Sequence, residues 1–165
     1  MTDKEFFIHT LKDEFPRFER ILKAVEKIPV KKHSYRPHKK SRTTLELLMN
    51  TFGSESDMMI VFLKKGAYDA LDWHIPKWKT ARAIRMAFTK NMKIVLEIVG
   101  KMSNSKWKAK ASMFVGDKMN WETSRGMMAW GFLLDLIHHR GQLSTYLRPM
   151  GGIVPSIYGP SADSK

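Results

Sequence analysis

The sequence contains no cysteine, and this absence removes several kinds of chemistry. Without a thiol, the chain has no disulfide framework, no cysteine nucleophile and no thiolate metal ligand. It also lacks a glycine-rich phosphate loop, a His-Glu-x-x-His motif and positional support for a serine triad. The remaining candidates for chemistry are imidazoles, carboxylates and amides.

Long hydrophobic runs are also missing. The longest uncharged apolar stretch, around residues 126–134, is far shorter than the ~20 residues that cross a bilayer. The first five residues lead directly into an amphipathic pattern and show no secretory signal. We therefore expect a cytoplasmic protein with no membrane partner. Its 165 residues predict a single domain spanning 1–165.

Acidic residues are scarce relative to basic ones: 16 Asp and Glu stand against 29 Lys and Arg, a net charge of +13. Such a surplus can serve a nucleic-acid or acidic partner. The densest basic cluster lies within residues 31–42, and other basic residues are scattered along the chain. Because charge is weak evidence of function, we interpret the surplus as a basic surface and keep nucleic-acid binding as an alternative.

Apolar residues recur at three- and four-residue spacings, which predicts an all-α four-helix bundle. The second helix should start at a capping box formed by Thr43 and Glu46. The four helices are expected at about residues 3–27, from Thr43 to near Gly66, from about Thr80 to Gly100, and at about residues 122–148.

Four local features complete the predicted architecture. Pro16 should kink or divide the first helix. A short hairpin or loop around Gly116 should precede the last helix. The tail after Gly152, rich in Pro and Gly, is expected to pack along the bundle as an extended strap. His74 lies in a predicted loop and is expected to be solvated.

The last helix carries a polar stripe within an otherwise apolar segment. At 100° per residue, a band about 80° wide holds Ser124, Met128, Gly131, Asp135, His139, Gln142 and Tyr146, with His138 at its edge. Asp135 and His139 are one turn apart, a spacing at which two side chains can bind one metal ion. The alternative is a metal-free pair in which Asp135 accepts a hydrogen bond from His139 or Arg140.

Several motifs resemble the DinB-like (DinB/YfiT) superfamily of bacterial four-helix bundles. The motif His138-His139-Arg140-Gly141-Gln142-Leu143, with Tyr146-Leu147-Arg148 and residues 154–163, is similar to its signature, and residues 35–46 resemble the matching entry to helix two. The resemblance covers nearly the whole chain. It implies a homodimer and a divalent ion, commonly nickel or zinc, held by three His: one on helix two and a His-x-x-x-His pair on helix four.

The three-His set is altered in this chain. The resemblance places the metal ligands at Asn50, Asp135 and His139, of which only His139 is a histidine. The polar stripe of the last helix predicts an adjoining pocket lined by His138, Gln142 and Tyr146. Oxygen-rich ligand sets suit manganese, magnesium or calcium better than zinc or nickel. The set therefore predicts either a weakly held nickel, zinc or manganese ion or a metal-free hydrogen-bonded triad with no cofactor.

Helical phase bears on the third ligand. Asn50 lies about 140° from the main apolar stripe of helix two, so it can face helix four only if helix two is buried on two sides. We interpret Glu55 and Asp57, farther along the same helix, as ordinary surface carboxylates.

Two functions follow as hypotheses. In the first, a small ligand binds between helices two and four, and the resemblance implies a metal-dependent hydrolase or thiol transferase with a degraded metal triad. In the second, the chain is a non-catalytic stress-response or binding module whose polar triad is a remnant. A variant of the second uses the basic surface of residues 31–42 to contact nucleic acid. The sequence leaves open whether the protein is an enzyme.

Overall fold

The computed structural model describes residues 1–73 and 78–163, so His74 lies outside the described residues. Two short 3₁₀ turns, Val30–Lys32 and Ala70–Asp72, lie in connections. The helices are α1 (Asp3–Glu26), α2 (Thr44–Leu48), α3 (Ser56–Lys65), α4 (Ala81–Lys101), α5 (Asn104–Lys108) and α6 (Arg125–Leu147). The strands are β1 (Ala67–Asp69), β2 (Lys110–Val115) and β3 (Lys118–Ser124).

A π-helical segment, Met49–Glu55, joins α2 directly to α3. The predicted second helix is therefore continuous from Thr44 to Lys65 but has a wider turn in its middle. This segment lies beside α4 and α6 in the bundle.

The long helices bury their apolar stripes in one shared core. Phe18 of α1, Phe52 of the π segment and Phe88 of α4 are fully buried. Their rings meet edge to face, with centroids 5.4 to 6.0 Å apart. Such aromatic contacts stabilise a core beyond simple area burial. The expectation of a mainly helical bundle is confirmed.

The all-α description is too narrow, because a three-stranded sheet packs beside the helices. The strand order is β1-β2-β3, with β1 parallel to β2 and β2 antiparallel to β3. The β2–β3 hairpin turns at Gly116, whose φ of 60° suits glycine. The hairpin is one of the two alternatives, a hairpin or a loop, that the sequence predicted here. Strand β1 was not predicted, because three residues are too few to show an alternating pattern.

Helix ends follow local capping chemistry. Thr43 and Glu46 form the predicted capping box, in which each side chain accepts a hydrogen bond from the other residue's backbone N–H. Gly66, with φ of 78°, ends α3 as predicted.

The structure differs from three expectations at other helix positions. Helix α4 continues through Gly100 to Lys101. Helix α6 starts at Arg125 rather than near residue 122, because β3 extends to Ser124 and the Ser124 hydroxyl caps the helix. Of the two outcomes expected at Pro16, a kink or a division, the division is wrong, because α1 is one helix from Asp3 to Glu26.

The C-terminal tail packs along the bundle, as predicted. The Tyr158 hydroxyl donates to Glu14 on α1 over 3.1 Å and accepts a hydrogen bond from Arg140 on α6. Farther along, Asp163 accepts hydrogen bonds from the Val154 N–H at 2.9 Å and the Arg148 guanidinium at 3.0 Å. None of the helices within the described residues is both long and apolar enough to span a membrane.

Candidate functional site

The π segment of helix two is largely buried in the bundle, although its first two residues, Met49 and Asn50, are half-buried. All residues from Thr51 to Ser56 are buried. A Cβ on Gly53 would lie 2.2 Å from the Trp78 ring, so glycine is required for this close approach. The Ser54 hydroxyl donates to the Met49 carbonyl, five residues earlier, over 3.1 Å. Such π segments often occur at functional sites.

Glu55 ends this segment and is 8% exposed. Its Oε2 is buried and has no hydrogen-bond partner among the described residues. A buried carboxyl oxygen without a donor is costly, so this atom is a strong indication of a missing partner.

Glu55 meets two side chains from α6. Atoms of Glu55, Asp135 and His139 that can bind a metal all lie within 4.8 Å of one another. His139 Nε2 lies 3.4 Å from Asp135 Oδ2, which is longer than a good hydrogen bond. The His139 side chain is 14% exposed and that of Asp135 is 47% exposed, so the cluster opens to solvent at Asp135.

The cluster contains two carboxyl groups close together. Burial raises the pKa of Glu55 to about 9, and the negative charge and hydrogen bonding of Asp135 act in the same direction. The nearby Arg42 has an opposite, smaller effect on this pKa. Without a cation between them, Glu55 is therefore protonated at neutral pH.

His139 is oriented by a neighbour on its own helix. Its Nδ1 lies 2.8 Å from Oε1 of Gln142, and Nε2 of Gln142 lies 2.9 Å from Nε2 of His138. Because the amide oxygen only accepts, this contact places a proton on Nδ1, and Nε2 is the nitrogen that faces Asp135. Histidines that bind metals usually have this arrangement, with the second nitrogen held by an acceptor.

A cleft of about 400 Å³ adjoins the cluster. His139, Gln142 and Tyr146 line it together with Arg42, and the Tyr146 hydroxyl donates to the Arg42 carbonyl over 3.2 Å. This volume is within the range of small-molecule sites. His138 is exposed and does not line the cleft; its contact with the cleft runs through Gln142.

Asn50 is not part of this cluster. It is half-buried, and its Nδ2 donates to the Glu46 carbonyl, one turn earlier, over 2.7 Å. Within the described residues it makes no hydrogen bond to Asp135 or His139. The structure brings Asp135 and His139 together as expected, but the third group beside them is Glu55.

The interpretation of Glu55 as a surface carboxylate was wrong, whereas Asp57 is indeed exposed. The sequence held a signal for this difference. Glu55 lies seven residues after Leu48 and four before Met59, so it is in phase with the apolar stripe of helix two. A carboxylate on such a stripe must be buried or must bind a partner.

The donor atoms of the cluster suit a divalent cation. Two carboxylates and one imidazole make an oxygen-rich set that fits manganese or magnesium, and zinc also accepts these ligands. Burial of the Glu55 carboxyl group, whose Oε2 has no hydrogen-bond partner among the described residues, supports the fit, because a bound cation would offset the cost of burying its charge. Three protein ligands leave positions open for water or substrate.

Fold and site together define a mainly helical bundle with a cluster of two carboxylates and one imidazole between helix two and α6. No protein-family model matches the sequence, and no curated protein matches it either. Solved structures do match. A DinB-like protein from Bacillus subtilis superposes with a TM-score of 0.66 at 14% identity, over 96% of this chain and 99% of that one.

A DinB-like protein from Bacillus cereus superposes with a TM-score of 0.68 at 15% identity, over 93% of this chain and 97% of that one. The chain therefore has the DinB-like fold, as the sequence motifs predicted.

Proposed function

We propose that this chain is a DinB-like superfamily member, one domain over residues 1–165, in which Glu55, Asp135 and His139 hold one divalent ion. The observation that carries the proposal is the convergence of one potential ligand atom from each of these three side chains within 4.8 Å, at a buried glutamate. Asn50, which the resemblance implies as a ligand, is replaced by Glu55 in this proposal.

The ligand set favours manganese, then zinc, over nickel. Glu55 and Asp135 provide oxygen donors, and His139 provides the single nitrogen. Ion binding requires Glu55 to lose its proton, so affinity should increase with pH up to about 9.

The proposed activity is hydrolysis or thiol transfer on a small ligand in the adjoining cleft. When bound, the ion supplies Lewis-acid chemistry that polarises a substrate or activates a water or thiol. His139 lines the cleft and is held in position by Gln142. Asp135 is half-exposed beside it, so its carboxylate is placed to accept a proton from an entering water or thiol.

A metal-free binding module is the second candidate. It is favoured by the 3.4 Å approach of His139 to Asp135, together with the raised pKa of Glu55, because a neutral Glu55 can share its proton with Asp135. In this case the cleft binds a ligand without catalysis, and added metal has no effect on stability.

We also propose a homodimer formed by α6 and the edge strand β3. Trp121, Met127 and Leu134 are exposed, at 46%, 58% and 60%. The Trp121 ring comes within 3.5 Å of the position of a Cβ on Gly131, which lies between the other two along α6. Exposed apolar patches of this kind mark interaction sites. Trp121→Glu should convert a dimer to a monomer in analytical ultracentrifugation, and a monomeric wild type would refute the assembly.

Thermal-shift titrations and elemental analysis test the metal proposal. Wild type should gain stability with manganese or zinc, by about 2.7 kcal/mol when the free ion is 100 times its Kd. Glu55→Gln and His139→Ala should show no gain. Asn50→Ala is the matched control and should respond like wild type. An unresponsive wild type, or an equal response in Glu55→Gln, would refute the site.

A further inference from the structure

A second cavity, of about 470 Å³, lies where the C-terminal end of α1 meets the turn after α6. Ile28 and Met150 contribute buried aliphatic surface, and Ile153 and Pro155 of the tail complete an apolar floor. None of its lining residues belongs to the cleft beside His139, so the two sites are separate.

The rim of this cavity is strongly cationic. It carries Arg20, Lys23, Lys27 and Lys32, and no Asp or Glu is among the described residues that line it. The nearest acid to Lys23 is Glu19 at 4.0 Å, and Glu19 is already bound by Arg85 at 3.2 Å.

Unlike Lys23, the other three cations have no acidic partner among the described residues. In the described part of the chain, Lys27 and Arg20 form no ion pair, and the guanidinium of Arg20 contacts only the Ile157 carbonyl at 3.4 Å. Lys32 donates to the Met150 carbonyl over 2.8 Å, which fixes its ammonium group at the rim. The C-terminus of a helix carries only about half a negative charge, which one cation can offset. Four cations surround this cavity, so the helix dipole does not account for them.

The cavity wall depends on two glycines after α6. Gly151 has a φ of 81°, and a Cβ on Gly152 would lie 2.6 Å from Cδ1 of Ile28. Any larger residue at position 152 would therefore clash with the floor. The turn is built to lie directly against Ile28, which gives the apolar floor a defined shape.

We propose that this cavity binds an amphipathic anion: a single aliphatic chain that bears a carboxylate or phosphate head group. The chain would lie on Ile28 and Ile153, and the head group would pair with Lys23 and Lys27. The volume is within the range of small-molecule sites. A nucleic acid is disfavoured, because its phosphodiester backbone would gain nothing from an enclosed aliphatic floor.

Calorimetric titration tests the proposal with defined probes. Octanoate and octyl phosphate, below their micellar concentrations, should bind one per chain, and the difference between them identifies the preferred head group. Acetate and inorganic phosphate lack the chain and 1-octanol lacks the charge, so each should bind at least about tenfold more weakly. Binding of acetate or octanol as tight as that of octanoate, or no saturable octanoate binding, would overturn the proposal.

Charge-reversal variants locate the site. Lys23→Glu with Lys27→Glu should weaken octanoate binding by at least about tenfold, because attraction becomes repulsion. Lys12→Glu with Lys118→Glu makes the same change in net charge at exposed positions outside the cavity and should leave binding unchanged. Ile153→Asp, at a position 65% exposed, should abolish binding without lowering Tm. Equal weakening in both double variants would show a nonspecific charge effect and refute the assignment.

Discussion

Two buried glutamates of this bundle lie in contrasting environments. Glu14 on α1 is 5% exposed, and Glu55 at the end of the π segment is 8% exposed. Glu14 accepts hydrogen bonds from Arg17 at 3.0 Å, from Tyr158 at 3.1 Å and from Arg140. Glu55 faces the carboxylate of Asp135 and keeps one oxygen without a donor among the described residues.

This difference separates a carboxylate with a structural role from the carboxylate that we propose as a metal ligand. A buried carboxylate is tolerated when cations and hydroxyls surround it, as they do Glu14. Among the described residues, Glu55 has only the smaller, opposing effect of Arg42 to offset its burial, so it can remain buried as a neutral acid or with a bound cation. Consecutive residues of α6 serve the two environments: His139 faces Glu55, and Arg140 faces Glu14.

The largest expected effect on stability is at Glu14, through the loss of its partner Arg140. Arg140→Met should lower the free energy of unfolding by about 3 kcal/mol, because it leaves Glu14 buried with less compensation. Arg140 also stacks 4.9 Å from the centre of the Phe18 ring, which adds to the loss. Urea unfolding measures the change.

A double variant checks the cause of that loss. Glu14→Met combined with Arg140→Met removes both charges and should recover most of the stability, since apolar replacement of a buried pair is often close to neutral. No recovery would mean that packing, rather than the unpaired carboxylate, dominates.

At Glu55, removing the charge is expected to stabilise the metal-free protein, the opposite of the effect at Arg140. The pKa of Glu55 is about 9 in the folded protein, against an ordinary value of 4.5. Between these values the unfolded chain releases a proton that the folded chain keeps, so the metal-free protein loses stability as pH increases from 4.5 to 9. Glu55→Gln should flatten this decline and add roughly 1–3 kcal/mol at pH 8.

Unfolding curves at several pH values, measured with a chelator present, test this sign. Glu122→Gln is the control, because Glu122 is an exposed carboxylate and its change should leave the slope between pH 5 and 9 intact. A destabilised Glu55→Gln protein would contradict the account.

A smaller effect is expected at the group that orients His139. Gln142→Leu removes the 2.8 Å contact to Nδ1 and should weaken metal binding about tenfold, the lower end of what second-layer partners contribute. Ser144→Ala, a neighbouring change whose hydroxyl only contacts the Gly141 carbonyl, should leave affinity unchanged. Competition against a metal indicator dye measures both, and equal affinities would show that Gln142 does not act through His139.

Much of the fold was predictable because its signals are local. The capping box of Thr43 and Glu46 and the left-handed Gly66 mark the ends of helix two through chemistry that needs only a few residues. The start of α6 was misplaced because strand pairing, which is not local, extends β3 to Ser124.

Two of the three residues in the candidate metal site were predictable from the sequence. Asp135 and His139 were found from one-turn spacing on one helix, which the structure preserves. The third group depends on packing between helices. The resemblance pointed to Asn50, helical phase placed Asn50 away from the apolar stripe, and Glu55 was interpreted as a surface carboxylate. The structure agrees with the phase of Asn50 and corrects the interpretation of Glu55. The π segment, with residues 51–56 all buried, was not visible in the apolar pattern.

Anomalous diffraction from crystals soaked in manganese tests the central claim most directly. The account predicts one strong peak between Glu55, Asp135 and His139, at roughly 2.0–2.3 Å from an atom of each. A map with no peak there, in which His139 and Asp135 keep their direct approach, would contradict it.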